Sequence, residues 1–244
     1  MEWTVKSDVG VVREENQDRA AVFEKNNIIL AILCDGMGGH EGGSYASSLT
    51  IEAIKKEFMK NTPIKSKELF SWFKHSLKKS KKLMEKQSKG SPELLDMGTT
   101  ITIAITYEET GQVYIFNVGD SRTYIYNGLL HQITVDHNLR NYYIQEGGLS
   151  PEKAKHILGG DSLTSALGPK KTTRVDAFQV AIKTGIKYLI LTSDGIHDFM
   201  TKPQFEQIVG SDIPINEIAL ELIRVAIKNE SSDNCTVVIV KVVE

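Results

Sequence analysis

Apolar residues fall along this chain in two kinds of pattern. Short runs rich in Val, Ile, Thr and Tyr recur at residues 28–34, 99–107, 112–118, 122–127, 174–182, 187–192 and 235–242, and each predicts a β-strand. Longer stretches with apolar residues at three- and four-residue spacing predict helices over 43–60, 65–88 and 214–228, with shorter candidates at 140–147, 151–158 and 202–209. In the second of these, Leu69, Trp72, Phe73, Leu77, Leu83 and Met84 share one face while Lys74, Lys78, Lys79, Lys81, Lys82 and Lys86 spread over the rest. That is the pattern of an amphipathic surface helix. Its lysines read first as a solvated face and second as a patch for an acidic partner. Segments such as KGSPELLDMG and YEETGQ are punctuated by Gly and Pro as turns, with no internal repeat or low-complexity linker. Helices come in adjacent pairs and strands in runs joined by short turns, which argues for antiparallel sheets with segregated helices over alternating βαβ units.

Composition narrows the class. The 244 residues are 41% hydrophobic and 25% charged, ordinary for a folded domain, and a single domain over 1–244 is expected. A formal net charge of −2 supplies no bulk positive field to recruit nucleic acid or an anionic membrane. The opening MEWTVKSDVG lacks a basic segment followed by an apolar core. No apolar run reaches the roughly 18 residues of a membrane span, so a cytoplasmic protein is expected. The two cysteines, Cys34 and Cys235, sit inside apolar runs and read as buried reduced thiols.

Candidate chemistry lies at the strand ends. Asp35 follows NIILAILC, Asp120 follows QVYIFNVG, Asp194 follows YLILTS, and Asp233 with Asn234 precedes CTVVIVKV. In antiparallel sheets the end of one strand lies beside the start of its neighbour, so all four acids can reach one rim. One such Asp is an ordinary turn residue. Several that converge cannot all stay ionised without a cation between them. Hard oxygen ligands without His or Cys partners call for Mg²⁺ or Mn²⁺. The glycines after Asp35 then have a reason, since Gly36, Gly38 and Gly39 permit backbone angles and carbonyl exposure that a Cβ would block. A phosphate-cradling nucleotide loop is the competing reading. The spacing Gly36-x-Gly38-x-x-x-Gly42 departs from its usual form, no Gly-Lys-Ser/Thr follows, and Asp35 would repel phosphate.

With these residues in place, the chain resembles the metal-dependent protein phosphatases of the 2C type, the PPM family, in their compact bacterial single-domain form. The blocks SDVGVVREENQDR, CDGMGGHEGG, GTT, NVGDSR, DHNL, LTSALG, LTSDGIHD and DNCT resemble those of the family and occur in its order. The resemblance implies an α+β fold, a four-layer α-β-β-α sandwich of two central antiparallel sheets flanked by helix pairs. It implies Mn²⁺ or Mg²⁺ at two principal sites: Asp35 bridging, Asp194 and Asp233 completing the first, and the Gly36 carbonyl serving the second. Asp120 and Asp194, with Asp198, would make a third, weaker site. Asp18 would hold waters behind the metals, and Arg13 would bind the substrate phosphate. A water shared by two ions would attack phosphorus in line without a phosphoenzyme.

Two positions depart from the family pattern. Gln17 stands where some members carry a Glu ligand, and Met37 stands where animal-type members carry a His assigned as general acid. The proton for the leaving alkoxide is left to His40 or to a metal-bound water. Residues 138–163 occupy the place of the family's flap, where Gly147, Gly148, Gly159 and Gly160 bracket a short helix. The function implied is hydrolysis of phosphoserine and phosphothreonine in proteins, on substrates of a serine/threonine kinase, by a monomer. A weakly active scaffold and a hydrolase of small phosphate esters are the alternatives.

Overall fold

The computed structural model describes residues 1–39, 41–180 and 185–242. In chain order the elements are β1 (Glu2–Asp8), β2 (Arg19–Lys25), β3 (Ile28–Cys34), β4 (Gly36–Met37), α1 (Gly42–Lys60), α2 (Leu69–Gln87), β5 (Gly98–Thr99), β6 (Ile101–Tyr107), β7 (Gln112–Val118), β8 (Arg122–Tyr126), β9 (Leu130–Gln132), α3 (Leu139–Gln145), α4 (Pro151–Ala154), β10 (Asp176–Val180), β11 (Tyr188–Thr192), α5 (Asp194–His197), α6 (Lys202–Val209), α7 (Ile215–Lys228) and β12 (Cys235–Lys241). Two five-stranded sheets, ordered β1-β12-β11-β8-β9 and β10-β7-β6-β3-β2, are antiparallel throughout. The expected four layers are there: α1 and α2 cover one sheet, and α5, α6 and α7 cover the other.

Burial on both faces explains why the central strands are continuous apolar runs. Along β3, Ile28, Leu30, Ile32 and Cys34 pack toward α1 and α2, while Ile29, Ala31 and Leu33 face the opposite sheet. Along β12, Cys235, Val237 and Ile239 meet the helices and Val238 and Val240 fill the space between sheets. The edge strands β1, β2 and β9 carry no such run and fall outside the sequence expectation. Each has only one neighbour and a half-wet surface, so a period-two apolar signal is diluted. The run 99–107 is broken at Thr100, because β5 pairs with β4 instead of continuing β6. The helical candidate 151–158 closes after Ala154. Residues 181–182 of the expected strand 174–182 lie outside the described residues.

On α2 the expected face is buried except for Leu83, which is exposed, and Ser76 and Ser80 join the buried side. Their hydroxyls donate to the carbonyls of Trp72 and Ser76, which removes the cost of burying them. Lys79 leaves the solvated set and pairs with the buried carboxylate of Glu57 on α1. Both cysteines are buried free thiols. Among the described residues no helix is long and apolar enough to cross a membrane.

The apolar space between the sheets turns polar toward one rim. Thr102 on β6 shares a hydrogen bond of 2.6 Å with Thr123 on β8, and Thr100 shares one of 2.6 Å with Ser121. All four side chains are buried, and the Thr102 and Thr123 hydroxyls depend on each other. Thr102→Val is therefore expected to destabilise the protein by about 1–3 kcal/mol, by stranding the Thr123 hydroxyl. Thr102→Val with Thr123→Val should recover most of that loss in denaturant unfolding, and an additive double variant would contradict the pairing.

Candidate active site

Strand direction brings the acids together. Within one sheet β3 and β7 both run antiparallel to β6 and therefore end at the same rim. In the other, β11 ends where β12 begins. Asp35 directly follows β3, Asp120 lies just past β7, Asp194 opens α5 after β11, and Asp233 stands just before β12. All four line one cleft of about 1190 Å³ together with Arg13, Gly36, Gln17 and Met37. Asp18 lies behind them, 3% exposed, and accepts hydrogen bonds from the hydroxyls of Thr236 and Ser193.

The electrostatics follow from this crowding. Burial, then the fields of Asp18 and Asp194, push the Asp35 carboxyl well above its ordinary range. Burial pushes Asp18 up to about 7, Asp194 up to about 6 and Asp120 up to about 8, with neighbouring aspartates adding to each shift. The Oδ2 atom of Asp18 and the Oδ1 atom of Asp194 are buried without a hydrogen-bond partner among the described residues. Arg13 reaches in from the cleft mouth, its Nη2 donating to Asp233 Oδ2 at 2.7 Å, while its side chain stays 55% exposed. One arginine cannot neutralise four acids. Orphaned oxygens, raised pKa values and an all-oxygen donor set fit hard divalent cations. Among the described residues no three His, Cys, Asp or Glu side chains close into a ready-made ligand cage. Ions held here would complete their shells with water and backbone carbonyls, as Mg²⁺ commonly does.

Close packing fixes the backbone around these acids. A Cβ on Gly36 would lie 2.3 Å from the Gly43 carbonyl oxygen and 2.6 Å from that of Gln17, so only glycine lets β4 pass between them. Gly38 has φ +128°, outside the range of ordinary side chains. Gly39 has open space around it and no such angle, so its glycine is not required here. The Asp35 N–H donates to Thr100 Oγ1 at 3.0 Å, which ties this acid to the inter-sheet hydroxyl pair.

Two positioning residues were not given roles from the sequence. Asn234 accepts from the Gln17 N–H at 2.8 Å and donates to the carbonyls of Val9 and Glu15 at 2.9 and 3.0 Å. It sews the loop that carries Arg13 onto the start of β12. Within the DHNL block, His137 Nδ1 accepts from the Gly119 N–H at 3.1 Å, and the His137 N–H donates to the Gly119 carbonyl at 3.0 Å. That clamps the turn presenting Asp120, where a Cβ on Gly119 would meet Thr100 Cγ2 at 2.6 Å. Asp136 in the same block forks onto Arg122 Nε and Nη2 at 2.9 and 2.6 Å. The only sequence signal for either residue was its place in a short polar block beside an acid-bearing strand end.

The remaining expected residues are placed as follows. Met37 lies in β4 opposite Gly98, and Gln17 donates from Nε2 to Glu15 at 3.3 Å. Asp198 is off the cleft, 3.6 Å from Arg122. His40 lies outside the described residues. The segment 138–163 is closed at its base by an antiparallel bridge between Asn138 and Leu163 and by the Arg140–Asp161 ion pair at 2.7 Å. Leu163 lines the cleft.

Comparison with known proteins agrees with this arrangement. The family model described as Protein phosphatase 2C matches residues 12–213. The serine/threonine phosphatase stp of Listeria monocytogenes serotype 4b is 33% identical over 239 residues, covering 97% of this chain and 94% of its own. The crystal structure of the serine/threonine phosphatase Stp1 from Staphylococcus aureus is 30% identical with a TM-score of 0.88, covering 100% of this chain and 95% of its own. The catalytic domain of the serine/threonine protein phosphatase PstP, solved in complex with 2 manganese ions, is 28% identical with a TM-score of 0.78, covering 100% of this chain and 98% of its own. The chain belongs to the protein phosphatase 2C family.

Proposed function

We propose that this serine/threonine phosphatase hydrolyses phosphoserine and phosphothreonine esters of proteins with an activated water. In this reading Asp35, Asp194, Asp233 and the Gly36 carbonyl hold two divalent ions, Mn²⁺ or Mg²⁺, and Asp120 with Asp194 serves a third. The observation that carries it is the gathering of four strand-end aspartates and Arg13 around one cleft in a chain of this family. Bound ions would supply a water of near-neutral pKa and offset charge on the phosphoryl oxygens.

The chain's own groups do the rest. Asp233 holds the Arg13 guanidinium by one edge, which leaves its other donors for the substrate phosphate. Asp18, fixed by two hydroxyls, keeps one oxygen without a partner among the described residues and would use it to orient water behind the ions. No Cys or His stands among the described lining residues, so direct attack by water is the reading taken here, as in the family the chain resembles. The proton for the leaving alkoxide comes from His40 or from water in the cleft. The scaffold alternative is not favoured, because each acid named for the principal ions lines the cleft. That the enzyme is a cytoplasmic monomer opposing a serine/threonine kinase rests on the family resemblance alone.

Phosphate release from a phosphothreonine peptide is expected with Mn²⁺ or Mg²⁺ and none with excess chelator. Asp194→Asn should lower kcat/KM on the order of a hundredfold or more, as loss of an ion ligand implies. Turnover that ignores chelator, or a fully active variant, would contradict the reading.

A second expectation concerns the metal-free protein. Its buried acids have folded pKa values above the unfolded Asp value of about 3.9, so the folded state binds more protons and loses stability as pH rises. With Asp194, Asp18 and Asp120 at about 6, 7 and 8, the loss extends across pH 5 to 8. In chelator, Tm should fall across that window, and Mn²⁺ should raise Tm more at pH 8 than at pH 5. A chelated protein that becomes more stable over the same range would rule the assignment out.

A further inference from the structure

The near-zero net charge conceals a division. Residues 55–89 carry twelve lysines, no arginine and three glutamates, a net of +9, which leaves −11 on the remainder of the chain. The lysines are concentrated on the helical layer farthest from the other sheet. On α2, Lys74, Lys78, Lys82 and Lys86 are exposed on the side away from Leu69, Trp72, Phe73, Leu77 and Met84, and Lys81 is half-buried at the flank of that apolar face. Only Glu85 interrupts them with an exposed acid. Glu57 is already engaged by Lys79, and Glu68 stands at the start of the helix. On this 19-residue helix the row from Lys74 to Lys86 extends over about 18 Å at 1.5 Å per residue. With a Debye length of about 8 Å at physiological salt, a flat partner meets this face and not the net charge of the molecule.

We propose that the outer face of α2 is a docking surface for an anionic lipid bilayer, which holds the phosphatase at a membrane surface without inserting it. Three observations select lipid over other polyanions. All the cations are lysines, point charges suited to a diffuse surface potential, and the arginine forks suited to individual nucleic-acid phosphates are missing from this segment. On the same helix two apolar side chains stand exposed beside the lysines where a soluble face would be polar: Phe70 is 41% exposed and Leu83 37%. Lys74 lies over the Phe70 ring at 4.5 Å, so aromatic and cation meet the interface together. No α2 residue lines the active-site cleft, so a docked enzyme keeps its cleft open to substrate.

The test is co-sedimentation of the full chain with vesicles of mixed phosphatidylglycerol and phosphatidylcholine, and with pure phosphatidylcholine, at low and high salt. Binding is expected to the anionic vesicles alone and to weaken with salt. Lys74→Gln with Lys78→Gln and Lys82→Gln should lower the partition coefficient by about a hundredfold, the combined effect of three lysines near an anionic surface. Phosphopeptide turnover by that variant should equal the parent's, which verifies its fold. Phe70→Ser should weaken binding at high salt more than at low. No binding to anionic vesicles at low salt, equal binding to neutral ones, or undiminished binding by the triple variant would overturn the proposal. So would retention by a DNA duplex in place of vesicles.

Discussion

Mutual repulsion of buried carboxylates at one rim of the sandwich is the constraint on which the rest of this structure depends. Asp18, Asp35, Asp120 and Asp194 are each pushed toward the protonated form by burial and by one another. A core made only for stability would not collect them, because an unpaired buried charge costs several kcal/mol. The fold supplies their positions through strand direction alone. Two strands of one sheet and one of the other end at the rim where β12 begins, and each delivers an Asp within two residues of its end. What is missing from the protein's own inventory is positive charge, and Arg13 provides only one unit of it.

The surroundings are built to hold that arrangement still. Buried hydroxyl pairs between the sheets lead outward to Asp35, Asn234 anchors the Arg13 loop, and His137 anchors the turn before Asp120. Glycines occur where two backbones must nearly touch, as at Gly36. Each device replaces freedom with geometry, which a water-activating site needs more than it needs affinity. The base of segment 138–163 is tied to the same DHNL block, since the Thr164 N–H donates to the His137 carbonyl at 2.8 Å. The cleft wall at Leu163 and the turn at Asp120 thus share one support.

The parts legible in the sequence are those written in local periodicity. β3 and β12 announce themselves because both faces are buried, and Asp35 and Asp233 stand out as charges abutting those runs. β1 and β2 were illegible because edge strands need only one apolar face, and Arg19–Lys25 begins and ends with charge. The work of Asn234 was hidden for a different reason: its partner Gln17 lies 217 residues away, and no local pattern encodes such a contact. The lysine face is visible residue by residue and reads as a solvated face or a patch for an acidic partner, while the net charge of −2 gives no sign of it. Screening makes surface electrostatics a property of faces, so the sum over a chain is the wrong quantity.

The most direct test of the central claim is calorimetric titration of Mn²⁺ into the chelator-stripped protein at neutral pH, repeated in buffers of different ionisation enthalpy to count protons. If the rim acids share protons in the absence of ions, binding must displace them, and net proton release is the predicted result. Manganese that binds without releasing protons, or that does not bind, would contradict the account.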